Sequence, residues 1–487
     1  MYALQSNGYH TIFKRQTALF GVIIPILIGV VGYLLERYFG VGDYVEASIL
    51  VVIGVVSLIK YLKKRTKFRF TARGTRVAVI FYIVSIGLSF LILIPSVKHL
   101  AGAVVGLSGS CILALAGGII APFERRRNFK YAFRKTAPLR ESDIIKVVIT
   151  GSYGKTSSKR ILTELLRTKY QVVSSMHNHN TPLGLAKSVE NQYDELKNTQ
   201  NLTKTVVFVG EAGARRKGDI NEMCKLIAPQ YGIITGVAEQ HLDSFKNVEN
   251  VAKTKEELAN YIGANGVVVF NVDNPHTNEM SSRFCGKAIN VGIGGDIQIK
   301  NLKLTAKGST FELDTARGII PLKTELLGAH NAKNIALCVS LALELGIEVS
   351  DIIKKVSSLK PEPHRLERRV SGGITILDDS YNANLLGVES ALSVLKDFDG
   401  RKVIYAQGLV ECGQKKVELN KRLARAVGAV GDVVILSGEN AKIIYNELKK
   451  SGFQGKIYQF STLMHATSEF KNILTKGDIL YLQNDIP

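Results

Sequence analysis

The side chains best suited to chemistry lie in one run, Lys146-Val-Val-Ile-Thr-Gly-Ser-Tyr-Gly-Lys-Thr-Ser-Ser-Lys159. Gly151, Ser152, Tyr153 and Gly154 predict a tight loop after a β-branched strand, Val147 to Thr150, and Lys155-Thr156-Ser157 opens a helix that runs to Leu166. A strand, a glycine loop and a helix N-terminus in that order turn backbone amides toward one point, and the lysine adds a positive charge there. The threonine hydroxyl is a natural ligand for the magnesium that accompanies a nucleotide. Only two residues separate Gly151 from Gly154, where the general phosphate loop has four, and the same string also occurs in ordinary turns. Its place between a strand and a helix favours the phosphate reading, a site for ATP with Mg2+.

The elements that must hold this loop follow it. Tyr170–Ser174, Thr205–Gly210, Tyr231–Thr235 and Gly266–Asn271 read as short buried strands, with helical periodicity from Val248 to Tyr261 among the intervening segments. Such alternation predicts a largely parallel sheet covered on both faces. Glu211 stands at the carboxyl end of one of these strands, where open α/β sheets bind ligands, and is a candidate for the nucleotide's magnesium. From Ala288 to Leu326 the pattern shortens into an antiparallel excursion, and Leu327–Leu345 predicts a helix carrying Asn331 and Asn334. Beyond Gly372, strands at Ile374–Leu377, Lys402–Gln407, Asp432–Ser437 and Lys456–Gln459 alternate with helices, which predicts a second, smaller α/β domain.

Charge and hydropathy set the remainder apart. The chain has 487 residues, enough for about three domains. Its net charge of +21 is concentrated in residues 1–145, which hold 19 of the basic residues and 6 of the acidic ones. Those cations flank four apolar segments, Thr17–Leu35, Ala47–Ile59, Val77–Pro95 and Leu100–Pro122, and no aromatic-basic interleaving of the RNA-binding type accompanies them. The pattern argues against nucleic acid and for four transmembrane helices, since a crossing takes about 20 apolar residues. Lys14-Arg15, the basic stretch Lys60–Arg76 and Arg125-Arg126-Arg127 then place both termini in the cytoplasm, making this a multi-pass protein of the cell membrane with lipid as a partner. No charge lies within an apolar segment, which argues against a transporter. The five cysteines are scattered, with no Cys-x-x-Cys pair, which suits a reducing compartment.

Several strings together resemble the Mur ligase family: Thr150-Gly-Ser-Tyr-Gly-Lys-Thr156, Asn180-Thr-Pro-Leu-Gly184, Glu211-Ala-Gly-Ala214, His241-Leu242, Lys255-Glu-Glu-Leu258, Gly328-Ala-His-Asn-Ala-Lys-Asn334, Pro363-His-Arg-Leu-Glu367 and Asp378-Asp-Ser-Tyr-Asn-Ala-Asn384. The likeness runs from about Ile144 to the C-terminus and is strongest to the members that add D-alanyl-D-alanine to a UDP-N-acetylmuramoyl tripeptide. It implies a central phosphate-loop domain over 141–360 and a C-terminal Rossmann-like α/β domain over 361–487, after a membrane domain over 1–140. It also implies roles. Lys155 and the loop from Gly151 to Ser157 would hold the ATP phosphates, and Thr156 with Glu211 the first magnesium. His241 would hold a second, beside Lys255, which in the family is carbamylated. Asn334 and Arg365 would contact the nucleotide, and Asp379 its ribose or phosphates. The implied reaction is ATP-dependent, ADP-forming amide ligation through an acyl phosphate in peptidoglycan precursor synthesis, with Lys155, His241, Lys255 and Arg365 catalytic.

Three departures from the family pattern stand out, the first two bearing on the substrates. Membrane-type segments stand where the family carries a domain gripping the UDP-sugar, Leu385-Leu386 follows Asn384 where proline is usual, and the chain ends at Asp485-Ile-Pro487, which suggests a short or truncated C-terminal domain. They leave room for a lipid-linked or other acidic cell-wall precursor joined to a different amine. A non-catalytic ATP-binding membrane scaffold is the reading from another class, opposed by the full set of ligand-type residues.

Overall fold

The computed structural model describes residues 121–141, 143–176, 179–192, 205–381 and 384–483. The chain divides into two compact units, Met1–Arg127 and Asn128–Pro487, and of the first only the helical residues 121–127 are described.

Six parallel strands form the central sheet: β1 (Ile145–Thr150), β2 (Gln171–Ser174), β3 (Val206–Glu211), β4 (Tyr231–Ile234), β5 (Val267–Asn271) and β6 (Lys287–Val291), in the order β2-β3-β1-β4-β5-β6. A strand points successive side chains to opposite faces. Val147 and Ile149 therefore join Val207 and Val209 in one core, while Val148 joins Val206 and Phe208 in the other. Both faces need cover, which is why these strands are nearly continuous runs of Val, Ile and Phe. Helix α1 (Lys155–Leu166) supplies Ile161, Leu162 and Leu165 to the first core, and α2 (Pro182–Asn191) and α3 (Asp219–Ile227) line the second. A short helix α4 (Leu242–Phe245) and the longer α5 (Val248–Ile262) follow β4, the latter capped by Asn247, whose side chain accepts from Asn250 N.

The antiparallel excursion is narrower than expected. Lys287–Val291 is the sixth parallel strand, and the antiparallel sheet is β7 (Gln298–Thr305), β8 (Gly308–Thr315) and β9 (Gly318–Thr324). A strand buried on alternate residues looks the same in either sheet, so period alone could not assign β6. Helix α6 (Pro275–Arg283) joins β5 to β6, and α7 (Ala329–Glu344), buried along most of its length, then packs against α1. Helix α8 (Val349–Ser357) leads out of this region.

The C-terminal sheet has the order β10-β11-β15-β12-β13-β14, with β10 (Glu367–Ser371) antiparallel to β11 (Ile374–Asp379) and the rest parallel. Strands β12 (Lys402–Ala406), β13 (Val433–Leu436) and β14 (Lys456–Gln459) and helices α9 (Leu385–Lys396), α10 (Lys416–Gly428), α11 (Ala441–Lys450) and α12 (Leu463–Ile473) match the sequence reading within a few residues. The sequence reading missed β10 and β15 (Ile479–Gln483), although β15 is central to the sheet.

The four apolar segments expected to cross a membrane lie almost entirely outside the described residues. Among those described, no helix is long and apolar enough to do so. Even α7 has 16 residues and carries His330, Lys333 and Glu344, short of the about 20 apolar residues a crossing takes.

Leu162 is fully buried between α1 and the sheet. Leu162→Ala should cost about 2–5 kcal/mol and lower the first midpoint in a denaturant titration followed by circular dichroism, while an unchanged midpoint would contradict this packing.

Candidate functional site

The phosphate loop is fixed from below by the end of β4. Ser152 N donates to Gly236 O at 2.8 Å, Ser152 Oγ to Ala238 O at 3.2 Å, and Thr235 Oγ1 to the carbonyls of Thr150 and Tyr153. Gly151 and Gly154 have φ of 150° and 73°. A Cβ at Gly151 would collide with the Thr235 hydroxyl, and one at Gly154 with the Asn334 amide. Both glycines are therefore required by conformation and by close approach. The same contacts place Asn334, on α7, against the loop, and Tyr153 and Ser157 complete it, both half-buried. Lys155 Nζ folds back onto Gly151 O at 2.8 Å.

Glu211 ends β3 with its side chain buried and heavily bonded. Thr156 Oγ1 donates to Oε2 at 3.0 Å, Asn180 Nδ2 to Oε1 at 3.2 Å, and Lys159 Nζ lies 3.8 Å from Oε2. Lys155 and Lys255 are both within electrostatic reach of it. Burial pulls the Lys155 ammonium below its usual range, and the Arg365 guanidinium pulls it further against the opposing pull of Glu211. Lys255, in the middle of α5, is only 4 % exposed and has no hydrogen bond or ion pair to any described residue. Burial, aided by the charge of Lys155, brings it down to about 7. An amine in that position is partly unprotonated near neutrality and can act as a nucleophile. The site thus gathers several cations around one buried carboxylate, an arrangement suited to a polyanion.

Arg365 arrives from the link between α8 and β10. His364 and Leu366 on either side have φ of 61° and 51°, a left-handed conformation that bulky side chains rarely adopt. The guanidinium lies over the Tyr381 ring at 4.5 Å, and Nη1 donates to Tyr381 O at 3.0 Å. Asp379, at the end of β11, accepts from Tyr481 Oη at 3.2 Å. Burial raises its carboxyl to about 6 against the opposing pull of Arg365.

His241 stands apart. It precedes α4 with φ 53°, and its Nδ1 is bonded to the carboxylate of Glu411, from the C-terminal sheet region. Among the described residues no three His, Cys, Asp or Glu side chains converge as a ready metal cage. The residues present nonetheless suit magnesium held chiefly through nucleotide and water oxygens, because Thr156 and Glu211 offer adjacent oxygens. Of the expected site residues, the structure gathers Gly151 to Ser157, Glu211, Lys255, Asn334 and Arg365 around the loop, places Asp379 beside Arg365, and sets His241 at the junction with the C-terminal region. Glu411, Lys159 and the His330–Ser390 pair were missed. Glu411 follows β12 in a loop that also carries Leu409, Val410 and Cys412, and no sequence pattern singles it out.

Two family models match the chain: the Mur ligase middle domain over residues 149–342 and the Mur ligase, glutamate ligase domain over 364–483. The chain belongs to the Mur ligase family. It is an ATP-dependent, ADP-forming ligase of that family, with ATP and Mg2+ as cofactors. It is 27% identical over 316 residues to the UDP-N-acetylmuramoyl-tripeptide–D-alanyl-D-alanine ligase of Haemophilus influenzae, covering 64% of this chain and 67% of that one. A MurF ligase structure from Thermotoga maritima in complex with ADP aligns with TM-score 0.62 at 25% identity, over 73% of this chain and 79% of the other. A MurF structure from Acinetobacter baumannii aligns with TM-score 0.65 at 22% identity, over 74% and 77%, and shares the fold.

These findings correct the expected location. A multi-pass protein of the cell membrane with both termini cytoplasmic, and lipid as its partner, is not upheld. No described helix can cross a bilayer, and the matched relative is named for a UDP-linked substrate, which is water-soluble.

His330, on α7, bonds through Nδ1 to Ser390 Oγ on α9 at 2.7 Å, and burial holds the ring down to about 4. The unfolded chain, with an ordinary histidine near 6.5, binds more protons in this window. The stabilisation is therefore complete above pH 6.5 and is lost as pH falls toward 4. His330→Gln should reduce the drop in urea midpoint between pH 7 and pH 5, and an identical drop would contradict this assignment.

Proposed function

We propose that this chain joins the D-alanyl-D-alanine amine to the terminal carboxylate of a UDP-N-acetylmuramoyl tripeptide, through an acyl phosphate. What carries this reading is the group of cations, Lys155, Lys159 and Arg365, set about Glu211 at the carboxyl ends of the central strands, together with the name of the H. influenzae relative.

A carboxylate oxygen of the tripeptide attacks the γ-phosphorus of ATP, and the bond to the β–γ bridging oxygen breaks to release ADP. The amine nitrogen then attacks the acyl carbon, the carbon–oxygen bond to phosphate breaks, and the nitrogen loses its proton as the amide forms. Charge builds on phosphoryl oxygens in the first step, so fixed positive groups do most of the work. Lys155 and the amides of Gly151 to Ser157 hold the β- and γ-phosphates, and Arg365 with Asn334 grips the nucleotide from its other side. Asp379 takes the ribose hydroxyls or a phosphate edge. Thr156 and Glu211 would hold one magnesium and His241 a second, and the ions would offset phosphoryl charge. Lys255 would act as its carbamate: its neutral amine would add to carbon dioxide and lose a proton, and the anion so formed would help hold a metal ion. Conversion to an anion would relieve the burial of an unpaired ammonium.

A second reading keeps the chemistry and changes the substrates. Leu385-Leu386 opens α9 where the dipeptide-adding branch usually has proline, and the chain spans about two thirds of the H. influenzae ligase's length. Another acidic cell-wall precursor with a different amine then takes their place.

The test is ADP release by the full chain with ATP and Mg2+. Release should require both the UDP-muramoyl tripeptide and D-alanyl-D-alanine, and Lys155→Ala should lower it by about 10²–10³-fold. Release with another acceptor or amine alone would move the function to the second reading, and release indifferent to Lys155 would contradict the site.

A further inference from the structure

The residue that His241 touches is delivered with unusual care. After β12, three fully buried side-chain amides, those of Gln483, Asn420 and Asn440, clamp the backbone of 407–409. Gln483 Oε1 accepts from Gln407 N and Gly408 N, both at 3.1 Å. Asn420 Oδ1 accepts from Leu409 N at 2.8 Å, while Asn420 Nδ2 and Asn440 Nδ2 donate to Leu409 O at 3.0 and 2.9 Å. Buried amides bonded in this way fix a loop's path, although Asn440 Oδ1 has no hydrogen-bond partner among the described residues. Two residues further on, Glu411 takes a left-handed φ of 55°, a conformation that favours glycine and needs support from its surroundings.

That support comes from the other side of the junction. Glu411 Oε1 accepts from Arg215 Nη1 at 3.1 Å, and Oε2 meets His241 Nδ1. Lys415 pairs with Glu239, and Gly413 (φ 57°) lies so close to Leu242 that a Cβ would stand 3.0 Å from its carbonyl carbon. The loop 407–415 thus seats itself on 239–242. A carboxylate against Nδ1 is an acceptor for an Nδ1 proton, which leaves Nε2 as the ring nitrogen that a neutral imidazole would offer to a metal. A metal-binding histidine is ordinarily oriented and made more basic in this way, by a carboxylate on its second nitrogen.

We propose that Glu411 is a positioning residue that reaches from the C-terminal region to orient His241, so that the His241 metal position is complete only when the two regions meet. The inference rests on the reading of His241 as a ligand of the second magnesium. It adds that the C-terminal region controls a ligand on the region that carries the phosphate loop, and so ties assembly of that position to the contact between the two.

The test counts Mn2+, as a substitute for Mg2+, by electron paramagnetic resonance on the full chain with a non-hydrolysable ATP analogue and no turnover. The wild type should take two ions. Glu411→Ala should keep the first, which also shows that it is folded, and bind the second about 10–100-fold more weakly. Glu411→Gln should recover much of that loss, because its amide oxygen still accepts from Nδ1–H. Equal second-ion affinity in Glu411→Ala would overturn the proposal. So would a wild type that releases ADP with both substrates yet binds one ion only, an outcome that leaves the ligase reading standing. Two ions in the wild type with only the second weakened in Glu411→Ala, but no ADP release with any acceptor, would uphold Glu411 and overturn the assigned reaction instead.

Discussion

The site depends on one buried anion. Glu211 is 1% exposed, at the end of a strand packed on both faces, and it accepts from Thr156 and Asn180 beside the Lys159 ammonium. A carboxylate in that setting is tolerable only because its partners are already in place, and removing one member of such a buried pair costs about 3–5 kcal/mol. The pairing does not balance the charges around it. Lys155 and Arg365 remain, held by backbone and by stacking rather than by an ion pair. Their excess positive charge in a desolvated setting is what a triphosphate would neutralise, and burial pulls the Lys155 ammonium below its usual range.

Elements far apart in the chain share this dependence. The loop is held by β4, Glu211 by β3, Lys255 by α5 and Asn334 by α7. Arg365 enters from beyond α8 between two residues in left-handed conformations, strain of the kind found where structure is over-determined. His330–Ser390 and His241–Glu411 then join the two sheet regions at separate points, one on a helix and one on a loop.

The sequence made the phosphate loop legible because strand, glycines and helix start are contiguous, and local rules suffice. α1 was found at its observed bounds, and Glu211 from strand-end logic alone. Lys255, Asn334, Arg365 and Asp379 come together only through the fold, and in the sequence they were legible only through family likeness. Glu411 was not legible: its role follows from a left-handed backbone at a non-glycine residue and from three amides that converge from α10, α11 and β15. β15 itself escaped notice although it lies between β11 and β12. Hydropathy pointed to a membrane location that the described helices and the matched relatives do not support.

Equilibrium titration of the full chain with adenosine, ADP and ATP, each with Mg2+, addresses the central claim most directly. If the excess cations around Glu211 are built for a polyphosphate, each added phosphate should tighten binding by about tenfold or more, the worth of one charge-assisted hydrogen bond. Adenosine binding as tightly as ATP would show that the cations do not receive the phosphates, and would contradict the account.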